Sequence, residues 1–193
     1  MRIVGGVHKG RALAGPRDDR VRPTSDRTRE AIFNMLTHGD FGDWSLAGAR
    51  VLDLFAGTGA MGLEALSRGA SFALMVDDHP QSRGLIRQNA ETLGETGRVR
   101  LWRRDATRLG YREGSAGPAY DLVFCDPPYG RDLGTTALAA ARAGHWLAPG
   151  AVCVLEESAS VDVPCPDGYS EDGRRRYGDT QVIILRPAGG SVV

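Results

Sequence analysis

The tetrapeptide Asp126-Pro127-Pro128-Tyr129 directly follows an apolar run, Leu122-Val123-Phe124-Cys125. With proline at about 5% of residues, an Asp, Asn or Ser followed by two prolines and an aromatic arises by chance in roughly one chain of this length per hundred. The prolines remove two backbone donors and stiffen the turn. What is left to face a ligand is a set of acceptors, the Asp126 carboxylate and the Pro127 carbonyl, beside the Tyr129 ring. That set suits an exocyclic amine on a purine. The lone pair of such an amine is delocalised into the ring, and accepting hydrogen bonds from both N–H groups localises it and aims it at an electrophile. Tyr129 offers a face on which a flipped base stacks. Catalysis of this kind rests on positioning and electrostatics. The product amine is a strong acid, so Asp126 need not be a strong base. The alternative is a plain β-turn.

An electrophile partner is legible upstream. Val51-Leu52-Asp53-Leu54-Phe55-Ala56-Gly57-Thr58-Gly59-Ala60-Met61-Gly62 runs from a predicted strand into a predicted helix. Its Gly57, Gly59 and Gly62 give the G-x-G-x-x-G spacing in the required context. Such glycines permit a tight turn and a close ligand, and fit a dinucleotide or S-adenosylmethionine equally. Asp53 separates the two, because a carboxylate four residues before Gly57 attracts the cationic amino end of a methionine and repels a pyrophosphate. Asp77 ends the next predicted strand, where a carboxylate accepts from ribose hydroxyls; Asp78 reads as a solvated neighbour. Asp105, with Ala106 beside it, is either an acceptor for the adenine amino group or a helix N-cap. Phe55 and Ala56 line the predicted cofactor loop, and Phe55 and Met61 read as core or pocket wall.

A rival chemistry, methylation at cytosine C5, needs a cysteine nucleophile. Pro164-Cys165 has the dipeptide expected for it but follows the fifth predicted strand, and Cys125 sits in an apolar strand and reads as core. Asp126 occupies the place on the fourth strand. Three cysteines without metal spacing fit reduced thiols in the cytoplasm. The four histidines form no ligand pair, so no metal is expected.

These residues need a scaffold. From residue 50 short apolar strands alternate with helices: strands at 50–55, 72–76, 99–103, 121–125 and 151–156, helices at 60–68, 80–93 and 133–145. Alternation predicts an α/β fold with a parallel sheet covered on both faces. The last two strands, 174–177 and 181–185, have no helix between them and predict an antiparallel hairpin on one edge. Residues 110–119 read as a loop. Upstream, 2–14 read as a small hairpin broken at Gly5-Gly6, followed by a Pro-containing linker from Pro16 to Pro23. Thr24-Ser25-Asp26 offers N-cap residues to a helix with Ile32, Phe33 and Leu36 on one face, ending at Gly39. The expected division is a head at 1–23 and a cofactor-binding domain at 24–193.

The net charge is zero, but it is unevenly spread. Residues 1–30 hold eight cations against four anions, so the head is +4 and the remainder −4. A basic head on an acidic body is an electrostatic footprint for phosphate, or a solvated surface. Arg2, Lys9, Arg11, Arg22, Arg27 and Arg29 are the candidate RNA contacts. Lys9 is the one lysine among 24 cations, so arginine frequency carries little weight by itself. No apolar run is long enough to span a membrane, and Met1-Arg2-Ile3-Val4-Gly5-Gly6 lacks the apolar core of a signal peptide.

Taken together, the chain resembles the bacterial 16S ribosomal RNA (guanine-N2)-methyltransferases of the RsmD type. The resemblance covers nearly the whole sequence. It is carried most specifically by Arg2-Ile3-Val4-Gly5-Gly6, Lys9-Gly10-Arg11, the segment from Arg22-Pro23-Thr24 to Glu30, and Phe33-Asn34. The segment from Leu52 to Ala70 and Tyr177-Gly178-Asp179-Thr180 add to it. The resemblance implies a Rossmann-like class I methyltransferase with a mostly parallel seven-stranded sheet. It implies transfer from S-adenosylmethionine to guanine N2 in small-subunit RNA, with an assembling subunit as partner; a monomer is expected. The family usually has Glu where Asp77 stands, and often an acid where His79 stands. Two alternatives remain at this level: an adenine-N6 DNA methyltransferase, for which a separate recognition domain is missing, and a non-catalytic RNA-binding assembly factor.

Overall fold

A computed structural model describes residues 1–16 and 25–189. Helix α1 (Asp26–His38) starts where the Ser25 side chain accepts from the Thr28 N–H and stops at Gly39. The expected alternation follows: β1 (Arg50–Leu54), α2 (Ala60–Ser67), β2 (Phe72–Val76), α3 (Pro80–Leu93), β3 (Val99–Trp102), β4 (Tyr120–Cys125), α4 (Leu133–Ala143) and β5 (Leu147–Ser158). The chain then closes with β6 (Tyr169–Tyr177) and β7 (Thr180–Pro187). The seven strands form one sheet in the order β3-β2-β1-β4-β5-β7-β6. Strands β1 to β5 are parallel, and β7 and β6 are antiparallel additions at one edge.

The period-2 pattern of each strand feeds two cores. On one face Val51, Met75, Phe124, Val154 and Val182 meet α1, α2 and α3; on the other Leu52, Leu54, Val123, Leu155 and Ile183 meet α4 and Trp146. Both faces are apolar, as a central parallel sheet requires. Among the described residues no helix is long and apolar enough to cross a membrane.

The head takes a reduced form of the expected hairpin. One antiparallel bridge, Arg2 to Ala12, is flanked by Ile3 N–H to Arg11 O at 2.9 Å and Leu13 N–H to Met1 O at 3.1 Å, with a 3-10 turn at Gly6–His8 between the arms. Ile3 and Leu13 are buried in the same core as α1 and α2, so the head is docked on the sheet and its helices. Glycine permits that docking: at Gly6 (φ 74) a Cβ would stand 1.8 Å from the Ser67 carbonyl oxygen. Most of the Pro16–Pro23 linker, Arg22 included, lies outside the described residues.

Three expectations shift, the first being β5, which runs over Leu147–Ser158 rather than the predicted 151–156. The hairpin strands are longer than predicted: the ladder starts at Tyr169 opposite Pro187, takes in Ser170 and Glu171, and passes Asp172 at a register irregularity before Gly173. The expected loop at 110–119 contains a 3-10 turn at Gly114–Ala116.

Candidate active site

The strand order reverses between β1 and β4, which is where open α/β sheets form a crevice at the carboxyl ends of their strands. Leu54 pairs with Cys125 across that boundary, and Leu54 also pairs with Val76 on β2. The glycine loop after β1, Asp77 after β2 and Asp126-Pro127-Pro128-Tyr129 after β4 therefore leave the same sheet edge side by side. The sequence separates them widely; the register brings them together.

Asp77 holds the glycine loop after β1, and Asp53 holds the first turn of α2 that follows it. Phe55 begins the loop in the left-handed region at φ 58, an uncommon and strained conformation for an aromatic residue. Gly57 and Gly59 follow at φ 59 and 77. Asp77 Oδ2 accepts from the Gly57 N–H at 2.8 Å, and its Oδ1 accepts from the His79 N–H at 2.8 Å. Asp53 is 2% exposed and accepts from the Gly62 N–H at 2.9 Å. A Cβ at Gly62 would stand 2.6 Å from Met75 Cε and 3.2 Å from Asp53 Oδ2, so a larger residue there would displace the end of the Met75 side chain and crowd the carboxylate. Burial pushes the Asp53 carboxyl well above its ordinary range; the Gly62 N–H opposes this, and the Asp126 and Asp77 carboxylates add to it. A buried carboxyl with two further carboxylates near it suits a cation. S-adenosylmethionine, with its sulfonium and ammonium groups, fits; a pyrophosphate does not.

Asp105 is exposed and caps the turn at Ala106–Arg108, accepting from the Thr107 N–H at 2.9 Å and the Thr107 hydroxyl at 2.7 Å. This is the capping alternative of the sequence reading. Ala106 is buried in the core on the α4 face.

In the β4 loop Pro127 is buried, Asp126 half-buried, and Pro128 and Tyr129 exposed. The Tyr129 hydroxyl shares a hydrogen bond with Thr180 Oγ1 at 3.3 Å. Burial, with Asp126, Glu156 and Glu157 nearby, pushes the Tyr129 hydroxyl up, so it stays neutral. Cys125 is 1% exposed and its thiol is pushed well up by burial, which makes it no nucleophile. Cys165 Sγ lies 3.3 Å from the Tyr169 carbonyl at the start of β6, whereas Tyr129 touches the far end of that hairpin. Eight residue steps along β6 put the two roughly 26 Å apart along the strand, which leaves Cys165 out of the site. Among the described residues no group of three His, Cys, Asp or Glu side chains is placed to hold a metal ion.

One predicted RNA contact is corrected. Arg29 is 0% exposed. Its Nη2 donates to Asp26 Oδ1 at 2.7 Å and to the Arg2 carbonyl, and its Nε lies 3.4 Å from Oε2 of Glu64, itself fully buried. Glu64 also binds Arg68 Nε at 2.7 Å and the Val4 N–H at 2.9 Å. Arg29 thus fastens the head to α2 and faces no phosphate. Arg2, Lys9, Arg11 and Arg27 are exposed; Arg11 also reaches the Thr92 carbonyl at 2.6 Å.

Sequence reasoning missed Asn89. It is 1% exposed on α3, and its Nδ2 donates to the Thr58 carbonyl at 2.9 Å and the Ala14 carbonyl at 3.0 Å, while its Oδ1 accepts from the Ala14 N–H at 2.7 Å. One side chain joins the head to the cofactor loop. The available signal was an amide on the apolar face of a helix, three residues after Ile86 and four before Leu93.

The family described as Conserved hypothetical protein 95 matches residues 1–186. Ribosomal RNA small subunit methyltransferase D of Escherichia coli strain K12 is 36% identical over 165 residues, covering 85% of this chain and 78% of the relative. The protein of the same name from Haemophilus influenzae is 27% identical over 170 residues, covering 88% of this chain and 85% of the relative. The solved structure of yhhF from Escherichia coli superimposes with a TM-score of 0.81 at 30% identity, covering 98% of this chain and 99% of that one. The fold is that of a Rossmann-like class I methyltransferase, and the chain belongs to the Conserved hypothetical protein 95 family, as a relative of the ribosomal RNA small subunit methyltransferases D.

Proposed function

We propose that this protein transfers a methyl group from S-adenosylmethionine to the exocyclic N2 of a guanine in small-subunit ribosomal RNA. The observation that carries the reading is the pairing of Leu54 with Cys125, which sets the glycine loop beside Asp126-Pro127-Pro128-Tyr129 at the reversal of strand order. The small-subunit methyltransferase relatives supply the RNA class, and the resemblance carried by the head, the Leu52–Ala70 segment and the closing hairpin supplies the atom.

Asp53 and the Gly57–Gly59 turn hold the methionine end of the cofactor, and Asp77 its ribose. When bound, S-adenosylmethionine supplies an electrophilic methyl group. The Asp126 carboxylate and the Pro127 carbonyl accept the two N–H bonds of the amine and direct its lone pair. The proton lost after transfer leaves through Asp126 or solvent. Tyr129 stacks on the flipped base, its hydroxyl neutral and anchored to Thr180. The exposed head cations Arg2, Lys9 and Arg11, together with Arg27, meet the RNA backbone. The protein works as a monomer, in the cytoplasm, on an assembling small subunit.

The test is to treat small-subunit particles from a strain lacking the gene with purified protein and labelled S-adenosylmethionine, then identify the modified nucleoside by mass. N2-methylguanosine is the expected product. N6-methyladenosine or 5-methylcytidine in its place overturns the reading.

A further inference from the structure

The ladder between β4 and β5 ends at Cys125 and Leu155, and there the catalytic loop leaves the sheet. Pro127 and Pro128 have no N–H with which to rejoin it. The loop is recaptured by Glu157, two residues beyond Leu155 on β5. Glu157 is 4% exposed, and its Oε1 accepts from the Gly130 N–H at 3.0 Å and from the Ser158 N–H at 2.7 Å. The neighbouring residue of the loop is held from the same place: the Tyr129 hydroxyl meets Thr180 Oγ1, and Thr180 pairs with Ser158 across the β5–β7 ladder. That end of the ladder is itself braced. Gln181, opposite Glu157, donates from Nε2 to the Ser158 carbonyl at 2.8 Å and the Val161 carbonyl at 2.6 Å.

We infer that Glu157 is a positioning residue for the methyl-transfer site, fixing Asp126 and Pro127 by clamping Gly130 to the end of β5. This deepens the proposed function and rests on it. The loop enters from a paired strand at Cys125, is stiffened by two prolines, and is tied down at Gly130. Between those points the two acceptors have little freedom. Amine activation by two acceptors depends on their placement, and a displacement of about 1 Å costs on the order of a hundredfold in rate. A carboxylate oxygen suits the task because it makes charge-assisted hydrogen bonds to N–H groups of two segments at once. The antiparallel edge hairpin thereby acquires a role, as the platform that holds the catalytic loop through Glu157 and Thr180.

Single-turnover methylation of small-subunit particles, run well below the melting temperature with saturating cofactor, tests this with Glu157→Met and Glu157→Gln. Met keeps the volume but accepts no hydrogen bond; Gln keeps the acceptor oxygen. The expected loss for Glu157→Met is about 10- to 100-fold in turnover, with cofactor affinity by calorimetry and the KM for particles within about threefold of wild type. Glu157→Gln is expected to recover most of the rate. If Glu157→Met does not fold, Glu157→Thr, a good strand former whose hydroxyl is too short to reach Gly130, carries the same expectation. Wild-type turnover in the variant lacking the acceptor overturns the inference, and so does a fall in cofactor affinity that matches the fall in turnover. If the wild-type enzyme makes no N2-methylguanine, the proposed reaction fails; if it does and Glu157→Met is unimpaired, the clamp alone fails.

Discussion

The Asp77 carboxylate and the Gly57 N–H are hydrogen-bonded at 2.8 Å, so the acid at the end of β2 and the glycine loop at the end of β1 fix each other. Asp77 also holds the His79 N–H at 2.8 Å. A shorter acid than the Glu usual in the related enzymes, with histidine two residues on, still presents an ordered carboxylate at the strand end.

Asp77→Ala removes the predicted ribose acceptor together with an anchor of the loop. S-adenosylmethionine affinity is expected to fall by about 1–3 kcal/mol, the usual loss for a charged hydrogen-bond partner. Calorimetry that returns wild-type affinity contradicts the assignment.

Asp53 gives a pH-dependent prediction. Its folded-state proton affinity is raised, chiefly by burial and further by Asp126 and Asp77. A carboxyl raised in this way favours the fold below its unfolded-state value, and that contribution is lost as pH rises through the folded-state value. Asp53→Asn keeps an oxygen for the Gly62 N–H and removes the buried charge. In the absence of cofactor, its melting temperature should exceed wild type at pH 8, and the difference should narrow toward pH 5. Cofactor affinity should fall at the same time, because the amide does not attract a cation. A melting difference that is constant with pH contradicts the electrostatic account.

Arg29 separates structure from RNA binding. Its guanidinium is 0% exposed beside buried Glu64. Arg29→Met breaks that pair, and breaking a buried pair typically costs about 3–5 kcal/mol; the Arg68 contact to Glu64 places the expectation at the low end. The salt dependence of RNA binding by the folded fraction should be unchanged. A flattened salt slope without loss of stability would falsify the structural assignment.

Lys9 and Arg11 stand on the exposed face of the head. Replacing both with Ala should lower RNA affinity and reduce the slope of log affinity against log salt by about 1–2. Cofactor binding should persist. A double variant that keeps the wild-type slope removes the head from the phosphate-binding surface.

The strands were legible because their apolar runs are bounded by Gly and Asp, and because alternation with helices leaves few topologies. Asp77 and Asp126 stand out in the sequence because each directly follows a strand, at the edge where a doubly wound sheet gathers ligands, and Asp53 because it is an acid inside the apolar strand that leads into the glycine loop. Arg29 was misread because charge in a sequence carries no depth: the partner that buries it, Glu64, lies 35 residues away on another helix. Asn89 and Glu157 were missed for a related reason: the amide on the apolar face of α3 marks Asn89 as unusual but not its partners at Thr58 and Ala14, and no local pattern links Glu157 to Gly130. The start of β6 was unreadable because Ser170-Glu171-Asp172 is polar on both faces of an edge strand.

Asp126 is the residue on which amine activation depends most directly. Asp126→Ala removes one acceptor for the amine and should leave Asp53, Asp77 and the glycine loop in place. A group that acts mainly in the transition state affects turnover more than binding. The decisive measurement is single-turnover methylation of small-subunit particles by Asp126→Ala, paired with calorimetry of cofactor binding. The predicted result is a loss of at least about a hundredfold in turnover with cofactor affinity near wild type, the scale of one lost preorganised partner. Near-normal turnover by Asp126→Ala would contradict amine activation by this loop.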